Sequence, residues 1–175
     1  MDFHDDFSEN EQEENEGDEI IGSDELLSQD ELRLPESASI LVRLHAVRAW
    51  LTRRQQDTRI EMGNTALALQ EASQDQAFTP TRRRDSQQQE ARLRQAQQRY
   101  QAAQERLETY EEAQTLLEEC IDHTSGERVL VEYYLQLEDL MQKKQDDSRT
   151  SNASLASLAD VLHRIEHVGA PSEED

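Results

Sequence analysis

The chain has 175 residues and a formal net charge of -21, from 39 acidic and 18 basic side chains. Only 34% of the residues are hydrophobic, 5% are aromatic, and the mean hydropathy is -0.96. This composition leaves too little apolar side chain for the thick core of a compact enzyme. The many Gln, Glu, Ala, Leu and Arg residues predict an all-α fold, which we expect to be an elongated coiled-coil helical hairpin with two shorter helices.

Apolar runs are short throughout the sequence. Runs such as residues 40–42 and 129–131 fall far below the roughly 18 to 20 residues of a membrane-spanning helix. The amino terminus has neither a basic leader nor an apolar stretch, so we expect a nuclear or cytoplasmic protein that is not secreted and contacts no membrane. Cys120 is the single cysteine, which excludes an internal disulfide and a cysteine-built zinc site within one chain.

Residues 1–36 form an acidic segment with 15 acidic residues and one basic residue. A segment this charged repels itself and has few groups to bury, so it predicts a disordered tail. Phe3 and Phe7 lie among the acidic residues as candidate anchors for a basic or apolar partner, and a merely solubilising tail is the alternative. The charge is segmented, since residues 37–106 carry +5 and residues 107–175 carry -12.

A first helix is predicted from about 37 to 74 by apolar residues three or four positions apart. Its polar middle, residues 52–58, predicts a weakened seam or a stutter in the repeat. A loop over residues 74–81 should follow, because Pro80 removes a backbone donor and disfavours helical geometry at Thr79. The residues that define the helix are Ile40, Leu41, Leu44, Val47, Leu51, Thr58, Met62 and Leu69.

A second helix is predicted from about 82 to 122, where four heptads continue without a slip. Residues 37–122 would then form the hairpin. The heptad places Gln114 in the seam, where a polar side chain typically sets the register of a coiled coil. The other seam residues, which we expect to bind a partner helix, are Leu93, Ala96, Tyr100, Ala103, Leu107, Tyr110, Leu117 and Ile121.

Charged residues flank this seam. Arg99 and Arg106 lie beside its first half, whereas Glu111 and Glu118 lie beside its second half. A partner helix would therefore meet a charge pattern that changes along the length of the seam.

Turn residues 123–126 end the second helix, and residues 123–169 predict two short amphipathic helices, from about 127 to 146 and from about 152 to 168. Residues 170–175 are an acidic end. The third helix has the most apolar face in the body of the protein, which favours a partner. The alternative is that the third and fourth helices fold back on the hairpin and bury this face within one chain. The residues of this face assigned to partner binding are Leu130, Tyr133, Leu137 and Leu140.

No pattern of cofactor binding is present in the sequence, and we expect no cofactor or metal. His163, Glu166 and His167 match the H-x-x-E-H spacing of inverted zinc peptidases. No sheet is predicted to form a substrate cleft around them, so we interpret them as a polar helix face near a C-terminus, where cations suit the helix dipole.

The basic cluster at residues 82–84 could contact phosphates, but three arginines in so acidic a chain make nucleic acid an unfavourable partner. Thr79 precedes a proline, and Ser86 follows two arginines at the predicted start of the second helix. Added negative charge is favourable at that end of a helix, so both residues are candidate phosphorylation sites.

We therefore expect a non-enzymatic coiled-coil subunit or adaptor that assembles with other helical proteins, more as a hetero-oligomer than as a homo-oligomer. The alternative is an acidic, chaperone-like binder of basic proteins such as histones, in which residues 1–36 carry the function. Salt sensitivity distinguishes these hypotheses, because heptad contacts are largely apolar and tail contacts are largely Coulombic.

Overall fold

The computed structural model describes Leu34, residues 37–78 and residues 83–168. These residues form four α-helices and contain no strand, which confirms the predicted all-α class. Phe3, Phe7, Thr79, the acidic end and the acidic tail except for Leu34 lie outside the described residues. Leu34, near the end of the segment predicted to be disordered, is half-buried against the core of the helices. The helices are α1 (Ile40–Phe78), α2 (Arg83–His123), α3 (Arg128–Asp146) and α4 (Asn152–Val168).

The helix ends follow local chemistry. Ser39 precedes α1 and its Oγ accepts a hydrogen bond from the backbone N–H of Val42 at 3.4 Å, in the manner of an N-cap. The predicted loop starting at Gln74 is wrong, because α1 continues to Phe78. Pro80 lies beyond the last helical residue and disfavours helical geometry at Thr79, so the helix can continue to Phe78. The bounds of the other three helices agree with the predicted ones within one residue.

Helices α1 and α2 pack antiparallel. Ion pairs between them join progressively later residues of α1 to progressively earlier residues of α2. Such exposed pairs each contribute little to stability, but their order along the helices is that of an antiparallel pair. The pairs are Arg48 with Glu118, Arg59 with Glu111 at 2.8 Å, and Glu61 with Arg106.

Helices α3 and α4 cover only part of this pair. At a rise of 1.5 Å per residue they are roughly 29 and 26 Å long, whereas α1 and α2 each extend for about 60 Å. The buried core therefore lies where all four helices meet. Its largest members are Trp50 and Leu51 of α1, Tyr110 and Leu117 of α2, Leu130, Tyr133 and Leu137 of α3, and Leu158, Val161 and Ile165 of α4.

Polar groups inside the core are paired between helices. The hydroxyl of Tyr133 donates to the backbone carbonyl of Ala113 at 2.9 Å. Thr109 and Ser154 share a hydrogen bond of 2.7 Å between their hydroxyl groups. Because an unpaired buried polar group is costly, these contacts favour one packing of α3 and α4 on α2 over alternatives.

Two residues of the polar middle of α1, Gln55 and Thr58, are buried, and the other five are exposed. Gln55 is buried, and its Nε2 donates to the side chain of Gln114 at 2.5 Å and to the backbone carbonyl of Tyr110 at 3.3 Å. The buried positions Val47, Leu51 and Gln55 follow one another at two successive steps of four, which is the spacing of a stutter. The interpretation of residues 52–58 as a change in the repeat thus agrees with the packing.

Within the described residues, no helix combines the length and the low polarity that a membrane-spanning segment requires.

Candidate partner-binding surface

Most of the residues assigned to a partner from the sequence lie in the core of this chain. The buried ones are Ala103, Leu107, Tyr110, Leu117, Leu130, Tyr133 and Leu137. Ile121 and Leu140 are half-buried against the same core. The fold-back of α3 and α4, the alternative in the sequence analysis, is the arrangement observed. A partner would reach the buried residues only if the four helices separated, so their role in binding stays a prediction.

The charges that flank the α2 seam are also used within the chain. Glu111, Glu118 and Arg106 pair with α1 rather than facing solvent alone. Lys144 of α3 pairs with Glu112 of α2 at 2.7 Å. Among the described residues, three of the four flanking charges, all except Arg99, are therefore paired with the protein's own helices.

The uncovered part of the helix pair consists of residues 59–78 of α1 and residues 83–102 of α2, which we call the arm. Leu93, Ala96 and Tyr100 lie here and are only half-buried, as are the seam residues Met62 and Leu69 of α1. The small side chains of the seam leave a groove of about 430 Å³ between the helices, with Glu71 and Asp75 on one side and Arg92 and Arg99 on the other.

A second face of α1 is exposed along the arm and over the three residues before it. Ile60 and Leu67 are 65% and 61% exposed, a large fraction for such apolar side chains. They belong to a row of six exposed residues at alternating steps of four and three, which places the row on one helix face. None of the six is charged, although 33% of the chain is. This row, the outer stripe, is Gln56, Ile60, Gly63, Leu67, Gln70 and Gln74.

The two edges of the outer stripe differ in charge. One edge carries Asp57, Asn64 and Glu71, each directly following a residue of the stripe. Neither carboxylate has an ion-pair partner among the residues that the structure describes. The other edge carries Arg59, which is already paired with Glu111 of α2. The stripe is thus bordered by negative charge on one side, although Glu71 also lines the groove across from Arg92 and Arg99.

Gly63 lies at the centre of the outer stripe. A glycine within a helix costs roughly 1 kcal/mol relative to alanine, so its presence needs a reason. A Cβ atom at this position would have no neighbour within 4 Å in the chain, so the fold itself does not require glycine. A missing side chain on an exposed apolar face instead allows another backbone to approach closely.

Replacing Gly63 by alanine should stabilise α1 by roughly 0.5–1 kcal/mol, because alanine loses less backbone entropy and meets open space. The matched control is Gly126, which has a φ of +69° in the turn before α3. Alanine there should destabilise the protein by about 1 kcal/mol, because L-residues are strained in this region. Urea unfolding of both variants measures the difference, and a loss of stability for Gly63→Ala would contradict the assignment.

The remaining candidates from the sequence are exposed or peripheral. His163 and His167 lie on one face of α4 with ring centroids 4.1 Å apart, and Nδ1 of His163 is 3.7 Å from the carboxylate of Glu166. In the part of the chain that the structure describes, no group of three or more His, Cys, Asp or Glu side chains is arranged to hold a metal ion. Ser86 is half-buried in the first turn of α2.

The outer stripe was not predicted from the sequence. Four of its six positions are glutamine or glycine, so the apolar repeat of α1 that is visible in the sequence lies on another face. The signal available in the sequence is a row of uncharged residues at heptad spacing, opposite the first seam, in a helix that otherwise carries many charges.

Comparison with protein family models gives no match. Comparisons with curated proteins and with solved structures give no significant match either.

Proposed function

We propose that this protein is a non-enzymatic subunit or adaptor that assembles with other helical proteins, and that the arm is its binding surface. In this proposal the antiparallel helices form a coiled-coil hairpin, and residues 1–36 are an acidic tail that is disordered up to Leu34, which packs against the core. A nuclear or cytoplasmic location and phosphorylation of Thr79 and Ser86 belong to the same proposal. The single observation that carries it is the outer stripe, an exposed uncharged row of heptad spacing on a chain of high charge.

Two features of the arm support this proposal. The stripe exposes about two thirds of Ile60 and of Leu67 to water, and burying the exposed part of each against another helix would contribute roughly 1–2 kcal/mol. The arm also lies beyond the reach of α3 and α4, so the chain's own short helices do not occupy it. An apolar face left open in this way is typical of a surface that binds another helix.

Replacing Ile60 and Leu67 together by glutamate should remove partner binding while leaving the fold unchanged. Both side chains are exposed, so the free energy of unfolding should change by less than about 1 kcal/mol. Binding of helical partners should weaken by at least about tenfold, because two charges would enter an apolar interface. Affinity purification of the full-length protein, with circular dichroism of each variant, measures both effects.

Leu41→Glu is the control for this experiment. Leu41 is 74% exposed on the same helix but lies outside the arm. The proposal expects the stoichiometric partners to persist with this variant and to disappear with the double glutamate variant. If all partners persist with both variants, the arm is not the binding surface and the proposal fails.

The second candidate function is the binding of basic proteins such as histones through residues 1–36. Its support is the 15 acidic residues and one basic residue of that segment. Contacts of this kind are screened by salt, so partners bound by the tail should leave between 0.15 and 0.5 M salt. Partners bound by the outer stripe should remain through the same wash, because burial of apolar surface is not weakened by salt.

A further inference from the structure

We infer that the occupant of the outer stripe is an amphipathic helix of another protein, with a large apolar side chain opposite Gly63 and lysine or arginine along the edge that meets Asp57 and Glu71. This inference rests on the proposed function and specifies the kind of partner. It is carried by three observations on α1: the uncharged stripe, the glycine at its centre, and the carboxylates along one edge.

The spacing of the stripe suits the packing of a second helix against it. Its six positions alternate in steps of four and three, so they present one continuous seam to a second helix. Ile60 and Leu67 project on either side of Gly63 and would form a hole over the glycine. A leucine-sized side chain of the partner fills such a hole, and the missing Cβ brings the two backbones closer together.

The carboxylates at one edge of the stripe determine which sign of charge a partner helix should carry there. Asp57 and Glu71 are exposed and, in the described part of the chain, have no ion pair within 4 Å, although Glu71 also lines the groove across from Arg92 and Arg99. They are fourteen residues apart, so they mark the same edge about 21 Å apart along the helix. Basic residues of a partner at heptad spacing would meet both carboxylates, whereas acidic residues would be repelled by them.

A second copy of this chain would not place basic residues opposite both Asp57 and Glu71. In an antiparallel pair of identical helices the same edges face each other, so Asp57 and Glu71 would lie against carboxylates. In a parallel pair they would face the opposite edge, where Ala66 and Ser73 are neutral and Arg59 is held by Glu111. A basic helix from another protein matches the stripe better than either arrangement.

Three synthetic 21-residue helical peptides test this inference against the full-length protein. The first has leucine at each seam position and lysine on both flanks, the second has the same leucines with glutamate flanks, and the third has lysine flanks with serine in place of leucine. At 0.1 M salt we expect the first peptide to bind roughly three- to tenfold more tightly than the second, as measured by fluorescence anisotropy. The third should bind more weakly than the first.

Two variants of the protein test whether the preference for the lysine-flanked peptide depends on Asp57 and Glu71. Asp57→Lys with Glu71→Lys should reverse it in favour of the glutamate peptide. The matched control is Glu138→Lys with Asp139→Lys on α3, which changes the net charge equally at two exposed positions outside the arm. The control should keep the preference for lysine. If the control variant also prefers the glutamate peptide, the net charge of the protein determines the peptide preference, and the inference is overturned.

Gly63→Leu tests the close approach at the centre of the stripe. The side chain would meet no atom within 4 Å of its Cβ, so the variant should fold. It should weaken binding of the first peptide about tenfold or more by filling the hole. Unchanged affinity would overturn the assigned position of the partner's apolar residue.

Further outcomes separate this inference from the proposed function. Binding that is lost in the Ile60→Glu, Leu67→Glu variant but is indifferent to the peptide's charge would overturn only the inference. Sedimentation of the protein alone as a dimer that the same variant dissociates would identify a second copy as the occupant and would also overturn it. If no peptide binds and the natural partners are insensitive to the Ile60→Glu, Leu67→Glu variant, the proposed function itself fails.

Discussion

Replacing Leu137 by alanine should destabilise the protein by about 2–5 kcal/mol. Leu137 is fully buried on the face of α3 that packs against the other helices. Its removal deletes buried apolar groups and leaves a cavity that the surrounding core cannot fill completely. Urea unfolding followed by circular dichroism gives the change in the free energy of unfolding.

Leu135 is the matched control for this prediction. It has the same side chain, lies two residues away on α3 and is 47% exposed. Leu135→Ala should cost less than about 1 kcal/mol, because that side chain loses little contact with the core. Equal, small effects at both positions would mean that the apolar face of α3 is not part of the core of the folded chain and is free for another protein.

Cys120 should react very slowly with thiol reagents in the folded protein. The side chain is 1% exposed, and burial raises the pKa of its thiol to about 11, with the negative charges of Glu132 and Glu119 adding to the effect. At pH 8 the reactive thiolate fraction would then be about 0.001, against about a quarter for a thiol of ordinary pKa near 8.5. Labelling should therefore be at least about 200-fold slower in the folded protein than in urea.

The same shift in pKa affects stability at alkaline pH. Below the ordinary pKa of about 8.5, Cys120 holds its proton in both the folded and the unfolded chain. Between that value and about 11 the unfolded chain releases the proton and the folded chain keeps it, so stability falls as pH rises. Cys120→Ala should show a shallower fall over this window. Rapid labelling of the folded protein, or an unchanged slope, would contradict the burial of this thiol.

Much of the helical architecture was predictable because its signals are local. The unbroken heptads of α2 and the turn residues before α3 placed the ends of α2, α3 and α4 within one residue. The polar seam position Gln114 was also predictable, since a repeat identifies the face on which a side chain lies. The end of α1 was less certain from sequence, because the effect of Pro80 on the residues before it depends on where the chain turns.

The identity of the binding surface depended on the tertiary structure. The apolar face of α3 could pack equally well against a partner protein or against the protein's own helices α1 and α2. The hydrophobic effect depends on the apolar area that is buried and not on which surface covers it. The structure buries Tyr133 against Ala113 of α2, with its hydroxyl paired there, and so uses this face within the chain. The outer stripe around Gly63 emerges as a candidate only once the neighbours of every α1 face are known.

The sequence by itself therefore determined that the described chain is helical, where most of its helices lie, and which faces are apolar, because spacing and turn chemistry act over a few residues. Only the tertiary structure decided which apolar face each helix buries and which it leaves exposed. That choice depends on helix length: α3 and α4 are each about half as long as α1 and α2, so they cover the core end of the pair and leave the arm open.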